Sequence, residues 1–280
     1  MCFFATRSSM KIRMKRKLAV VLLICISCHI GWAAQDFVWK SGQNMKVVCD
    51  TTEAPVVKVA LDLLKRDCRS VLSGEISRSE NTGNIYVGTW GESSVLQALA
   101  ETHQLDVAQL NEHKEAFLLN VLPDGRLVVA GSDKRGTAYG VLELSRMMGV
   151  SPWEWWADAV PEKKEEFRLP AGFRKLDYPQ VAYRGIFIND EDWGLTPWSW
   201  KHYEPSERKG QIGPKTHARI FELLLRLQAN TFWPAMHECS IPFFFTEGNK
   251  EMADKYAIYL GTSHCEPMMR NTNGEWKTAG

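Results

Sequence analysis

The sequence predicts a mixed α/β protein, with a small N-terminal α/β sandwich followed by the first three βα units of an incomplete (β/α)8 barrel. Three features predict this. Between residues 36 and 176, short apolar runs alternate with segments whose apolar residues recur at helical spacing. From residue 184 a strand–helix–strand–helix–strand series begins, the order that parallel pairing with right-handed crossovers requires. Within it, the apolar run Ile186-Phe187-Ile188 breaks into Asn189-Asp190-Glu191-Asp192. Strand interiors exclude such residues, and barrels present them at the carboxyl ends of their strands.

The first 34 residues read as a secretory signal peptide. Lys11, Arg13, Lys15, Arg16 and Lys17 precede an apolar run over 18–30, and Gly31-Trp32-Ala33-Ala34 offers small residues for cleavage. At roughly 13 residues the run is short for a bilayer span, so stable membrane insertion is not expected. Cys25 and Cys28 lack the Leu-small-small context of a lipid anchor. The protein is therefore expected to be exported, to the periplasm or beyond the cell.

Residues 45–49 read as a strand and 55–72 as a helix, with Val57, Ala60, Leu61, Leu64 and Cys68 on one apolar stripe. Cys68 is accordingly expected to be a buried free thiol. Residues 84–88 form the next strand, and 93–104 a helix with Leu96, Leu99 and Ala100 on one face. His103 extends that stripe and reads as structural. Strands 116–122 and 126–130 flank Pro123-Asp124-Gly125, a hairpin signal. Helix 133–148 buries Val141, Leu144 and Met148 and stops at Gly149, a C-cap position. About 140 residues suffice for a core of their own. The charged, proline-flanked stretch 161–180 reads as an interdomain passage.

The second system opens with strand 184–188. Gly213-Pro214 starts a helix with Ile220, Leu223, Leu224 and Leu227 inward, while Arg219, Glu222 and Arg226 are expected to face water. Strand 230–233, helix 250–260 ending at Gly261, and a weak strand at 262–265 complete it. From Asp177 onward there are only roughly 100 residues, against about 250 for a closed barrel. A fragment is the expectation, since an open parallel sheet leaves an unpaired edge.

Composition narrows function mainly by exclusion. The 280 residues are 45% hydrophobic and 24% charged, ordinary for a folded soluble chain, and a net charge of +1 gives no general attraction to nucleic acid. Eleven tryptophans are a heavy load. Trp193, Trp198 and Trp200 follow the acidic cluster closely and offer flat apolar faces on which sugar rings stack. With the cluster at a strand's carboxyl end, they point to a carbohydrate site. The plainer reading is a solvated loop in which Asn or Asp caps a turn.

Trp233-Pro-Ala-Met-His237-Glu238 ends the second strand, and Ser263-His264-Cys265-Glu266-Pro267-Met268 the third. Each sets a His and a Glu at the same rim, for hydrogen bonds to sugar hydroxyls. Two His and two Glu also permit a metal reading, but the spacing lacks helical i, i+4 presentation, and no metal or cofactor is expected. Cys49, Cys68, Cys239 and Cys265 form no Cys-x-x-Cys pair, which argues against structural zinc. The loop from Gly131 to Gly140 lacks phosphate-binding spacing. There Asp133 is expected to cap the helix and Arg135 to pair across the domain junction. Trp153, Trp155 and Trp156 read as packing of that seam, and His202 and His217 carry no signal.

At these motifs the chain resembles glycoside hydrolase family 115, the xylan α-1,2-glucuronidases. The resemblance rests on Gly131 to Gly140 with Gly149-Val-Ser-Pro-Trp153, on Arg184-Gly-Ile-Phe-Ile-Asn-Asp-Glu-Asp-Trp-Gly194, on Asn230-Thr-Phe-Trp-Pro-Ala-Met-His-Glu238, and on Gly261-Thr-Ser-His-Cys-Glu-Pro-Met268. After the signal peptide over 1–34, it implies a non-catalytic α/β domain over 35–176 and the start of a catalytic barrel over 177–280. It further implies removal of glucuronic acid, or its 4-O-methyl ether, from xylan or oligosaccharide with inversion. A homodimer of the full-length form is also expected.

Inversion needs two carboxyl groups about 6.5–9.5 Å apart. Adjacent Asp190 and Glu191 cannot straddle a sugar ring, so Asp190 is the candidate catalytic carboxylate and its partner is expected beyond Gly280. Asn189, Glu191, Trp193, His237, His264 and Glu266 are candidate substrate ligands, and Arg270 is the candidate cation for the uronate. The rival readings are a carbohydrate-binding or degenerate protein that ends at Gly280, and a metal-dependent hydrolase using His237, Glu238, His264 and Glu266.

Overall fold

The computed structural model describes residues 33–102, 104–190, 192–234 and 237–262. The expected signal peptide and His103 therefore lie outside the described residues. The described residues from Gln35 onward form one unit by contact.

The first sheet has six strands in the order β3-β2-β4-β6-β5-β8. They are β2 (Asn44–Cys49), β3 (Glu75–Ser79), β4 (Ile85–Thr89), β5 (Phe117–Val121), β6 (Leu127–Gly131) and β8 (Arg174–Asp177). The first four in that order run parallel, while β5 and β8 are antiparallel additions. Two helices, α1 (Pro55–Leu72) and α3 (Lys134–Met148), cover one face; their core includes Leu64, Val87, Phe117, Val129 and Val141. The other face packs against α2 (Ser94–Glu101) through Tyr86, Leu96, Leu118 and Val128. A separate ribbon pairs β1 (Phe37–Lys40) with β7 (Glu166–Leu169).

Local chemistry explains most of these elements. Asp133 caps α3, its carboxylate accepting from the backbone N–H groups of Arg135 and Gly136, and Gly149 ends it at φ +102°. Cys68 is a fully buried free thiol, as its stripe predicts, and burial pushes its pKa up to about 12. The stretch 161–180, by contrast, is built into both sheets. Phe167 and Leu169 alternate with exposed Glu166 and Arg168 in β7, and β8 joins the six-stranded sheet as an edge. Four-residue strands with charged outer positions resemble a charged linker when only composition is read.

The second sheet has the order β11-β10-β9, all parallel. Its elements are β9 (Gly185–Ile188), α4 (Leu195–Trp198), α5 (Pro214–Arg226), β10 (Thr231–Pro234), α6 (Asn249–Lys255) and β11 (Tyr259–Leu260). Phe221, Phe232 and Tyr256 form an aromatic core beneath one face. On the other, Phe187, Trp233 and Tyr259 are 45%, 46% and 45% exposed. Gly185 lies directly against the carbonyl of Thr231, where a Cβ would collide. The third strand comes earlier than its sequence expectation. Helix α6 stops at Lys255, and Ala257 turns the chain with φ +55° into β11 at Tyr259.

The polar face of α5 is also corrected. Glu222 and Arg226 are 6% and 9% exposed, not solvated. Arg226 grips Asp67 of α1 bidentately at 2.8 and 3.0 Å and reaches Glu222 at 3.0 Å. Arg66 and Arg219 close the network on Glu222. The reason is packing: this side of α5 meets a second helix, so its charges are matched by α1.

Candidate active site

The carboxyl ends of β9 and β10 meet at one rim. Leaving β9, Asn189 is exposed, whereas Asp190 turns inward and is 2% exposed. The Asp190 carboxyl accepts the hydroxyl of Ser240 at Oδ2 and the backbone N–H of His237 at Oδ1, the latter at 3.4 Å. Its backbone carbonyl accepts from the Thr196 hydroxyl and, at 3.6 Å, from the Cys239 thiol. One residue therefore ties the end of β9 to α4 and to the segment 237–240 beyond β10. Burial raises the Asp190 pKa, against the bonds from Ser240 and His237 that lower it. A carboxyl in this setting favours its protonated form more than a surface aspartate does.

His237 is exposed at the same rim. Its Nδ1 accepts from the Cys239 backbone N–H at 3.5 Å and lies 3.2 Å from the Cys239 thiol. In the tautomer that accepts the Cys239 N–H at Nδ1, the neutral ring carries its proton on Nε2, available to a ligand oxygen. Glu238 and Asp192 are exposed nearby in sequence, and Trp193 is 82% exposed. The described rim thus combines an amide, carboxylates, an imidazole donor and an indole face, the groups that bind sugar hydroxyls and pyranose C–H surfaces.

Below the rim, Asp190 shares a small pocket with Ile188, His217, Phe232, Pro234 and Phe243. His217 is buried among those rings, its Nδ1 bonded to the Gly213 carbonyl at 3.0 Å, and burial lowers its pKa to about 4. A neutral histidine here supports the floor of the rim. Glu204 organises the adjacent helix, accepting from the N–H groups of Lys215 and Thr216 at 3.1 and 3.0 Å in the first turn of α5. Gly213 leaves room for that carboxylate.

Asp190 and His237 are thus brought together, and Asn189 and Trp193 stand beside them in sequence. Glu191, His264, Glu266 and Arg270 lie outside the described residues. Among the described residues no group of three or more His, Cys, Asp or Glu is placed to hold a metal ion. Sequence reasoning missed Ser240 and Thr196, whose hydroxyls face Asp190 only once the chain folds. Cys239 carried a weak signal through its spacing to His237.

The seam between the sheets takes two of the three tryptophans expected there, Trp155 and Trp156, whereas Trp153 is 48% exposed. Trp198, expected to offer a face to sugar, is stacked into the seam on Tyr203 instead. Trp155 packs against Trp156, Trp198 and Tyr203, and Trp156 Nε1 donates to the Arg219 carbonyl at 3.1 Å. Arg135 pairs with Glu115 and reaches the Ala257 carbonyl at 3.1 Å and the ring of Tyr259. Glu115 is buried and also binds Arg184 and Asn230, which together hold its pKa down despite burial.

The sequence model of glycosyl hydrolase family 115 matches residues 176–280. Among solved structures, a family GH115 4-O-methyl-alpha-glucuronidase with specificity for decorated arabinogalactans is 61% identical to this chain, with a TM-score of 0.82. The match covers 87% of this chain and 32% of that one, so the chain spans about a third of that relative's length. CpGH84D is 13% identical over 82% of this chain and 35% of its own, with a TM-score of 0.51, a likeness of fold alone. No curated protein matches the chain.

Proposed function

The chain belongs to glycoside hydrolase family 115, and from that premise we propose that it serves an enzyme that removes glucuronic acid or its 4-O-methyl ether from decorated polysaccharide. One observation carries the proposal beyond family membership: consecutive parallel strands β9 and β10 deliver Asp190 and His237 to one rim, joined by a hydrogen bond. The three-stranded sheet is read as the opening of a (β/α)8 barrel, whose lumen side would be the face bearing Phe187, Trp233 and Tyr259. That orientation puts the rim at the barrel's catalytic end.

In this reading Asn189, Trp193 and His237 contact the sugar, His237 through Nε2–H. Asp190 is the candidate catalytic carboxylate. A pKa raised by burial suits the group that protonates the leaving oxygen in an inverting hydrolase. The second carboxylate would come from outside the described residues. Glu191, His264, Glu266 and Arg270 are proposed to complete the pocket, with Arg270 facing the uronate. The 61% identical relative acts on decorated arabinogalactans, which favours that backbone here; glucuronoxylan is the second candidate. Export after cleavage near Ala34 belongs to the same proposal, since such polymers lie outside the cell.

The test is release of glucuronic acid from decorated arabinogalactan and from glucuronoxylan by the full-length protein. Asp190→Asn is expected to lower kcat by about 100-fold or more, the range for loss of an acid catalyst. Absence of release from both polymers would overturn the proposal.

A further inference from the structure

A second cleft lies in the other part of the molecule, between the N-terminal half of α1 and the edge strand β3. It is an open cleft with a cavity volume of about 220 Å³. Its floor is apolar: Val47, Cys49 and Ile76 are 3%, 8% and 9% exposed. Its walls carry three cations, Lys58 and Lys65 from α1 and Arg78 from β3. The Arg78 guanidinium is fixed by donation to the Cys49 carbonyl at 2.8 Å, which holds it over the carboxyl end of β2.

Among the described residues none of these three cations, Lys58, Lys65 and Arg78, forms a salt bridge with a carboxylate. Arg66, Arg69, Arg135, Arg146, Arg184 and Arg226 all have such partners. Two aspartates also line the cleft. Asp50 is engaged at the start of α2, accepting from the Ser94 N–H at 2.9 Å, and Asp62 bridges neither lysine. Three cations thus face two carboxylates, of which Asp50 is committed to the start of α2, an excess of positive charge that favours an anion.

We propose that this cleft is an ancillary binding site for a uronic-acid-bearing saccharide, with the carboxylate held by Lys58, Lys65 and Arg78. The pyranose C–H face rests on the floor of Val47, Cys49 and Ile76. A phosphate or sulfate would use the same cations without needing the apolar floor. The choice of a uronate rests on the glucuronidase reading; the choice of an anion does not. The site would hold a decorated polymer while other side chains are processed, lowering KM for polymer without affecting turnover of short oligosaccharides.

The test is calorimetric titration of the full-length protein and its Lys58→Ala/Arg78→Ser variant with sodium glucuronate, methyl glucoside and inorganic phosphate. Lys58 and Arg78 are exposed, so the variant is expected to melt with the wild type. The wild type should bind one more glucuronate per chain than the variant, or bind it about tenfold more tightly, as loss of charge-assisted hydrogen bonds implies. Methyl glucoside should not compete. Identical glucuronate isotherms for the two proteins would overturn the proposal, as would phosphate binding at the cleft more tightly than glucuronate. Glucuronic acid release from a short oligosaccharide should be equal in the two proteins. If neither releases it while the difference in binding persists, the glucuronidase reading fails and the cleft assignment stands.

Discussion

In the six-stranded sheet, all five residues of β4 and all five of β6 are buried, because helices cover both faces. In the three-stranded sheet, helices cover one face, and Phe187, Trp233 and Tyr259 remain nearly half exposed on the other. The first sheet buries its apolar surface by itself. The second is steadied by its neighbour, through the α5 ion network onto α1 and through Arg135 onto β11. The contrast separates the two duties of the chain. The six-stranded sheet supplies a covered base, and the three-stranded one brings the polar candidate rim to a surface.

Five substitutions, two of them followed through an acid titration, would break or sharpen this contrast. The largest effect is expected at the link between the regions. Asp67→Ala removes the bidentate partner of the buried Arg226 guanidinium, leaving it Glu222 alone, and should cost about 3 kcal/mol in urea unfolding; a loss below about 1 kcal/mol would show that the sheets do not depend on the clamp. Next comes the difference between the two faces of β9 and β10. Phe232→Ala, at 1% exposure, should cost about 3–4 kcal/mol, whereas Phe187→Ala on the open face should cost about 1 kcal/mol or less. Equal losses would mean that the open face is covered in solution.

Acid titration is expected to separate seam from rim by sign. Glu115 and Glu222 have pKa values below the usual 4.5, so their contribution is present above that value and lost as pH falls through the lowered values. Glu115→Gln should therefore flatten the acid limb of a melting-temperature profile. Asp190 behaves oppositely. Its pKa is raised above 3.8, so its protonated form is favoured on folding, and stability is lost as pH rises through the raised value. The smallest effect follows: Asp190→Asn should match the wild type near pH 3.5 and melt slightly higher near pH 7. A lower melting temperature for Asp190→Asn at pH 7 would contradict the raised pKa.

Much of this architecture was legible in the sequence because its signals are local. Asp133 and Gly149 bound α3, the stripe ending at Cys68 defines α1, and the break after Ile188 marks the end of β9. Signals that depend on distant partners were silent. Nothing near Glu222 or Arg226 announces that Asp67, 159 residues from Arg226, will neutralise that face. Strands β7 and β8 were disguised by their charged outer residues, and β1 by its brevity. At the rim, nothing in the sequence tells which of Asn189 and Asp190 is buried. Only the pleat separates them, sending one to solvent and the other onto Ser240.

The backbone approach at Gly185 limits what variation β9 can accept. With the Thr231 carbonyl filling the space of any side chain, the two strands cannot slide past each other by even one residue without a clash. A library randomised across β9 should return many residues at 186 and 187 and glycine alone at 185, marking the point that fixes how far the rim's polar groups project.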